Sequence, residues 1–379
     1  MRIPLSAPDI TEAEIEAVAE VLRGAQLSLG PKLWEFEAAV ASFVGVDHAV
    51  GVSSGTAGLH LAMIALGIGE GDEVIVPSFT FIAAANVVRY VGATPVFVDI
   101  DAVTLNLAPN AVEQAITPRT RAMIAVHTFG RPAEIGQLAA IARRQGLFLV
   151  EDACEALGTE VDGRTVGSFG DIAVFAFYPN KQITTGEGGM VVTADAGLAE
   201  RMRSLRNQGR GPSDGWFQHS EVGYNYRLSE IACTLGIGQM ARLPDILARR
   251  ERIARRYDLR LAGDPRLMVP AVDIANVRVS WFVYVVRLAA GCSAADRDSI
   301  VASLQRAGIG CGRYFAPIHR QPAYAGWRDV ALPVTECESS RTIALPFFNR
   351  ITEAQIDEVA DRLMTVLPDG RPARAAVTS

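Results

Sequence analysis

Ala173-Val-Phe-Ala-Phe-Tyr-Pro-Asn-Lys181-Gln-Ile-Thr-Thr-Gly-Glu-Gly-Gly-Met190 sets a lysine between two short β-rich runs, with a proline before it and a glycine-rich stretch after it. Apolar runs of this length bounded by Pro and Gly read as buried strands, here over residues 172–177 and 189–193. The same rhythm runs back toward the N-terminus, with strands expected over residues 49–53, 73–77, 95–99, 122–128 and 147–151. Helical patterns separate them, such as 132–145, which opens on Pro132 and stops at Gly146. Before the first strand, Thr11-Glu-Ala-Glu14 is a capping box for a helix ending near Gly24. Strands alternating with helices imply an α/β fold with a mostly parallel, seven-stranded sheet.

The pattern changes after a long helix expected over residues 245–261, whose many arginines read as a solvated face. A strand over 280–288, a helix over 293–307, an extended run over 341–346 and a last helix capped by Thr352 form a small C-terminal α+β domain. The chain thus divides into a large domain over residues 1–245 and a small one over 246–379, its tail from Asp369 frayed.

A net charge of −6 argues against a nucleic-acid partner, which requires a basic face. No apolar run is long enough to span a membrane, and the N-terminus lacks the apolar core of a signal peptide. Cys154, Cys233, Cys292, Cys311 and Cys337 are odd in number and form no C-x-x-C pair, so neither disulfides nor a metal site is indicated. A cytoplasmic protein with reduced thiols is expected.

The chain holds 36 basic residues, of which only Lys32 and Lys181 are lysines. Arginine cannot give up its proton or form an imine at neutral pH, whereas a partly desolvated lysine does both. Lys32 follows Leu29-Gly-Pro31 at a helix start and reads as a solvated first-turn charge. Lys181 has different company. The first strand runs into Ser53-Ser-Gly-Thr-Ala-Gly-Leu-His60, a small-residue turn opening a helix whose first amides favour an anion. The fifth strand ends in Glu151-Asp152, and one of these carboxylates is expected to face the crevice at the strand ends. An anion nest, a carboxylate and a lysine at the strand ends of one sheet match the needs of pyridoxal phosphate: its phosphate, its ring nitrogen and its aldehyde.

Phe79-Thr-Phe81, Glu151-Asp152-Ala-Cys-Glu-Ala156, Gly170-Asp171, Lys181 with its Gly-Glu-Gly-Gly run, and Gly223-Tyr-Asn-Tyr-Arg-Leu228 together resemble the DegT/DnrJ/EryC1/StrS family. These are nucleotide-sugar aminotransferases with the fold-type I architecture, and the Thr-Thr-Gly-Glu-Gly-Gly-Met string resembles the perosamine-synthase-like branch. The resemblance covers essentially the whole chain. It implies that Lys181 is the Schiff-base lysine, that Asp152 pairs with the pyridine nitrogen, and that Thr56 and Ala57 bind phosphate through their amides. It further implies that Phe81 stacks on the cofactor ring, that Glu155 approaches its hydroxyl, and that Asn225 reaches the cofactor phosphate of the neighbouring subunit in a homodimer. Many relatives carry serine five residues before the lysine; here it is Ala176, so one phosphate hydrogen bond is missing or comes from another hydroxyl such as Ser54 or Thr56.

The reaction so implied moves an amino group from L-glutamate to a keto sugar on a nucleoside diphosphate, 4-keto-6-deoxy before 3-keto. His319, Arg227 and Arg313 are candidates for sugar or diphosphate contact, and Trp216 and Phe217 for the substrate entrance. His60 and His127 read as structural. Family members that act as sugar dehydratases replace the lysine by histidine, and Lys181 speaks against that activity. Acyl transfer on an amino acid is a second competing activity, and a regulator that binds the cofactor without turnover is a third.

Overall fold

The computed structural model describes residues 1–211, 215 and 217–368. Seven strands form the central sheet: β1 (His48–Val52), β2 (Glu73–Pro77), β3 (Thr94–Val98), β4 (Thr120–Val126), β5 (Phe148–Asp152), β6 (Ile172–Ala176) and β7 (Gly189–Thr193). Their spatial order is β1-β7-β6-β5-β4-β2-β3. Only β7 runs antiparallel to its neighbours, on both sides; the pairs among β2 to β6 are parallel. Parallel strands are covered on both faces and so read as continuous apolar runs. Alternate residues enter different cores: Val150, Val174 and Val191 face one cluster with Leu61 and Met202, while Phe175, Met190 and Val192 face another with Phe36 and Cys233.

The expected helix over 132–145 begins at Ile135, because Thr128–Gly130 forms a 3-10 turn first and Glu134 is the N-cap residue. The strand expected from 280 begins only at Tyr284; Ser280–Val283 is an irregular crossing with a bend at Phe282 and Trp281 in the left-handed region at φ 52°. Among the described residues no helix is long and apolar enough to cross a membrane.

In the small domain, β8 (Leu267–Met268), β9 (Tyr284–Leu288) and β10 (Thr342–Leu345) form an antiparallel sheet. The helix Leu243–Leu261 joins the two cores. Leu243, Ile246 and Leu247 pack in the large domain, whereas Ile253, Tyr257 and Leu261 pack in the small one. Its half-buried arginines pair with the last helix, Arg256 with Asp357 and Arg260 with Asp361. Midway, buried Arg250 donates to Trp281 O (2.7 Å), Phe282 O (2.9 Å) and Asn349 Oδ1 (2.9 Å).

The chain's first residues also belong to the small-domain core, a long-range closure that the division at residue 245 does not capture. Ile3 is fully buried there; its amide donates to Gly308 O at 3.1 Å and its carbonyl accepts from Gly310 N at 2.7 Å. Deleting most of a buried isoleucine side chain costs about 2–5 kcal/mol. Ile3→Ala is therefore expected to lower the urea midpoint of the cofactor-free protein with little change of slope. An unchanged midpoint would show that the Ile3 side chain adds nothing to the small domain.

Candidate active site

Side chains alternate across a strand, so the two acids that end β5 point to opposite faces. Glu151 is fully buried and accepts from the amides of Gly167 (2.8 Å), Phe169 (2.8 Å) and Gly170 (2.7 Å). Asp152 faces a cavity of about 540 Å³ at the carboxyl ends of the parallel strands. Its carboxylate accepts from the Cys154 amide at 3.2 Å, and no described cationic side chain forms an ion pair with it. A buried carboxylate with that acceptor capacity suits a cationic ring nitrogen.

Lys181 stands in the same cavity, its side chain largely buried. The turn after β6 carries it, closed by the Lys181 amide donating to Tyr178 O at 2.9 Å. Its Nζ lies 3.4 Å from Glu155 Oε1 and 4.0 Å from the centre of the Phe282 ring. The other oxygen of Glu155 accepts the Phe129 amide at 2.8 Å. Burial raises the Glu155 carboxyl above its ordinary value, and the nearby ammonium only partly opposes that. Burial likewise pushes the Cys154 thiol well up, which leaves it a poor nucleophile.

The anion nest is the turn into the helix Gly55–Ala65, where Ser54, Gly55 and Thr56 line the cavity. The Ser54 hydroxyl accepts the Ala57 amide at 3.1 Å. The structure thus presents Thr56 to the cavity but engages the expected Ala57 donor in a helix cap, leaving the amides of Gly55 and Thr56 to face an anion. β7 passes so close that a Cβ at Gly189 would lie 2.6 Å from the Ser54 carbonyl. Ala176 lines the same corner. On the opposite wall Phe81 is 60% exposed, a flat apolar face beside Thr80. Asn180 Oδ1 also lines the cavity, buried and without a hydrogen-bond partner. An anion nest, an aromatic wall, an acid, an amine and an unfilled acceptor around one space fit pyridoxal phosphate.

Other expected contacts lie elsewhere. His319 does not line the cavity: it is fully buried, with Nδ1 2.7 Å from the Ser78 hydroxyl and Nε2 3.2 Å from Glu336. It clasps the end of β2 to the small domain. Arg313 pairs with Asp298 at 3.1 Å on the surface, and Arg227 donates to Asn207 Oδ1 at 3.1 Å. Asn225 is exposed and lines no part of this chain's own cavity. Lys32 pairs with Glu35 at 2.7 Å in the first turn of its helix. Phe217 is exposed in a turn, and Trp216 lies outside the described residues. His127 Nε2 is 3.1 Å from Glu151, and His60 Nδ1 is 3.2 Å from the Tyr226 hydroxyl.

Sequence reasoning missed Phe282, Tyr314 and Phe315, which line the cavity from the small domain. The one available signal was the aromatic pair Tyr314-Phe315 a few residues before His319 in a proline-bearing loop.

The profile of the DegT/DnrJ/EryC1/StrS aminotransferase family matches residues 8–364. The GDP-perosamine synthase of Caulobacter vibrioides is 42% identical over 369 residues, covering 97% of this chain and 98% of that protein. DesV of S. venezuelae, solved with a ketimine intermediate, superposes with a TM-score of 0.90 at 38% identity, covering 98% of this chain and 100% of that one. Spr1654 of Streptococcus pneumoniae, solved in its PLP form, gives a TM-score of 0.92 at 30% identity, covering 97% and 98%. The chain belongs to the DegT/DnrJ/EryC1/StrS aminotransferase family and is a pyridoxal-phosphate-dependent aminotransferase.

Proposed function

We propose that this aminotransferase moves the amino group of L-glutamate to a keto sugar carried on a nucleoside diphosphate, a 4-keto-6-deoxy sugar before a 3-keto one, in deoxyamino-sugar biosynthesis. The observation that carries this reading is Lys181, largely desolvated in the cavity that Asp152 lines, in a chain 42% identical to a GDP-perosamine synthase. Pyridoxal phosphate, when bound, supplies an electron sink for the carbon that gains or loses the amine. Asp152 keeps the ring nitrogen protonated, Phe81 covers the ring face, and the Ser54–Thr56 turn holds the phosphate. Lys181 Nζ carries a proton to and from the reacting carbon. Glu155 stands beside it as the acid partner. A space of about 540 Å³ is within the range of sites for a cofactor with a substrate part. A dehydratase is disfavoured by the lysine.

We infer that two copies complete each other's sites in a cytoplasmic homodimer. Phe81 and Tyr178 are exposed large aromatics at the cavity, and Asn225 is turned away from its own cavity, which suits it to the partner's phosphate.

The holoenzyme is expected to be yellow and to lose the visible imine band on addition of L-glutamate. Lys181→Ala removes the band and lowers turnover by about 10²–10⁴-fold; a variant with unchanged spectrum and turnover would falsify the assignment. A panel of nucleotide-linked keto sugars then identifies the acceptor, and amination of none of them rejects the sugar reading while leaving the cofactor chemistry intact.

Ala176 lines the phosphate corner without a hydroxyl. Ala176→Ser is expected to tighten pyridoxal phosphate retention by about tenfold, within the scale of a hydrogen bond to a charged group. Equilibrium dialysis of the two proteins measures it, and equal affinities mean that Ser54 and Thr56 already satisfy the phosphate.

Because burial raises the Glu155 carboxyl in the folded state, its stability contribution is full below the unfolded pKa of about 4.3 and is lost as pH rises through the folded value. Glu155→Gln keeps an acceptor for the Phe129 amide and does not ionise. The cofactor-free variant should therefore gain stability over the parent between about pH 4 and about pH 7. Urea midpoints at the two pH values decide, and a constant difference rejects the raised carboxyl.

A further inference from the structure

A second cavity, of about 140 Å³, opens at the junction of the two domains and shares no lining residue with the catalytic one. The loops after β3 and β4 and the segments flanking β9 form its walls. Leu105, Phe129, Trp281, Val283 and Val285 make most of it apolar and buried. Four polar residues line this space: Thr104, Thr128, Arg131 and Arg287.

Two of them, Thr128 and Arg131, lack side-chain partners among the described residues. The Thr128 hydroxyl is buried and has no hydrogen-bond partner. Arg287 donates to Ala102 O and, at 3.1 Å, to Glu338 Oε2, but Glu338 is shared with Arg341. Arg131 is half-buried, and its guanidinium makes no hydrogen bond or ion pair among the described residues. Its nearest acids, Asp101 and Glu134, act on it only through space, and Asp101 Oδ1 is already taken by the amides of Val103 (2.9 Å) and Thr104 (2.8 Å). Burial first, and Arg287 second, disfavour the charge on Arg131. A neighbouring anion relieves both effects.

We propose that this cavity binds a small monocarboxylate with an apolar body of single-ring or short branched-chain size. Its carboxylate lies between Arg131 and Arg287 within reach of the Thr128 hydroxyl, and its body lies against Leu105, Val283 and Val285. Guanidinium groups present planar donor pairs that match carboxylate oxygens. The volume is close to the roughly 150 Å³ of an apolar cavity known to take benzene. An inorganic anion leaves the apolar walls without a partner, and a hydrocarbon leaves Arg131 without one. The two cavities lie back to back across Phe129, whose amide holds Glu155 and whose ring stacks on Phe315 at 5.4 Å.

The test is a ¹⁹F NMR titration of the pyridoxal-phosphate-loaded enzyme with 4-fluorobenzoate. Saturable binding is expected, weakened at least about tenfold by Arg131→Met, which removes the charge but keeps the stem. Ala271→Trp, at the exposed rim of the cavity, should weaken it similarly by filling the mouth. Both variants should keep the visible cofactor band and its response to glutamate, which separates this cavity from the catalytic one. Unlabelled benzoate should displace the probe, and inorganic phosphate should not. Absence of saturable binding, equal affinity in parent and both variants, or displacement by phosphate as effective as by benzoate overturns the proposal.

Discussion

The carboxylate of Glu151 is the constraint on which the catalytic geometry rests. A buried carboxylate without partners costs several kcal/mol or takes up a proton. Here three backbone amides and the ring of His127 surround it. The Ala133 amide donates to His127 Nδ1 at 3.1 Å, which leaves the hydrogen on Nε2, facing the acid. Burial alone would raise the Glu151 carboxyl, but His127 and the amides of Gly167 and Gly170 outweigh it and hold it below the ordinary range. The end of β5 is thereby fixed to the loop that leads into β6. Since the next residue must face the other way, Asp152 is delivered to the cavity by the anchoring of its neighbour.

A similar division holds around Lys181. Glu155 comes from the loop after β5, whereas the Phe282 ring comes from the crossing into the small domain. That crossing is held by Arg250, whose guanidinium binds two successive carbonyls, of Trp281 and Phe282, while reaching Asn349. Even with burial lowering its pKa to about 10, Arg250 remains charged at neutral pH. The aromatic face beside the Lys181 amine is therefore set by a helix that belongs to both cores, and the small domain is part of the lysine's environment.

What the sequence makes legible is local. Seven apolar runs announce the sheet, and the lysine, the acid pair and the small-residue turn stand at strand ends where periodicity alone places them. The misses are long-range. Ile3 joins Ile309 across three hundred residues, and nothing near Ile3 marks that pairing. Phe282 resembles any strand residue until the crossing at Trp281 turns it toward the cavity. His319 has the chemistry of a ligand contact, yet Ser78 and Glu336 consume both ring nitrogens. The Ala57 amide donates to the Ser54 hydroxyl at the turn where the nest is expected, a competition between two uses of one turn.

The scarcity of lysine acquires a physical meaning from the placement of the arginines. Where a buried cation must bind several acceptors at fixed angles, as Arg206 does between Glu37 and the Gly51 carbonyl, a rigid multidentate group is required. Along the long helix, Arg256 meets both carboxylate oxygens of Asp357, and Arg260 reaches Asp357 and Asp361, which again uses the several fixed donors of a guanidinium. At residue 181 the substitution runs only one way. A guanidinium cannot form the imine proposed there, whereas the primary amine over the Phe282 ring has the chemistry to form it. The role proposed for Lys181 thus constrains one position, while arginine carries the structural charge elsewhere.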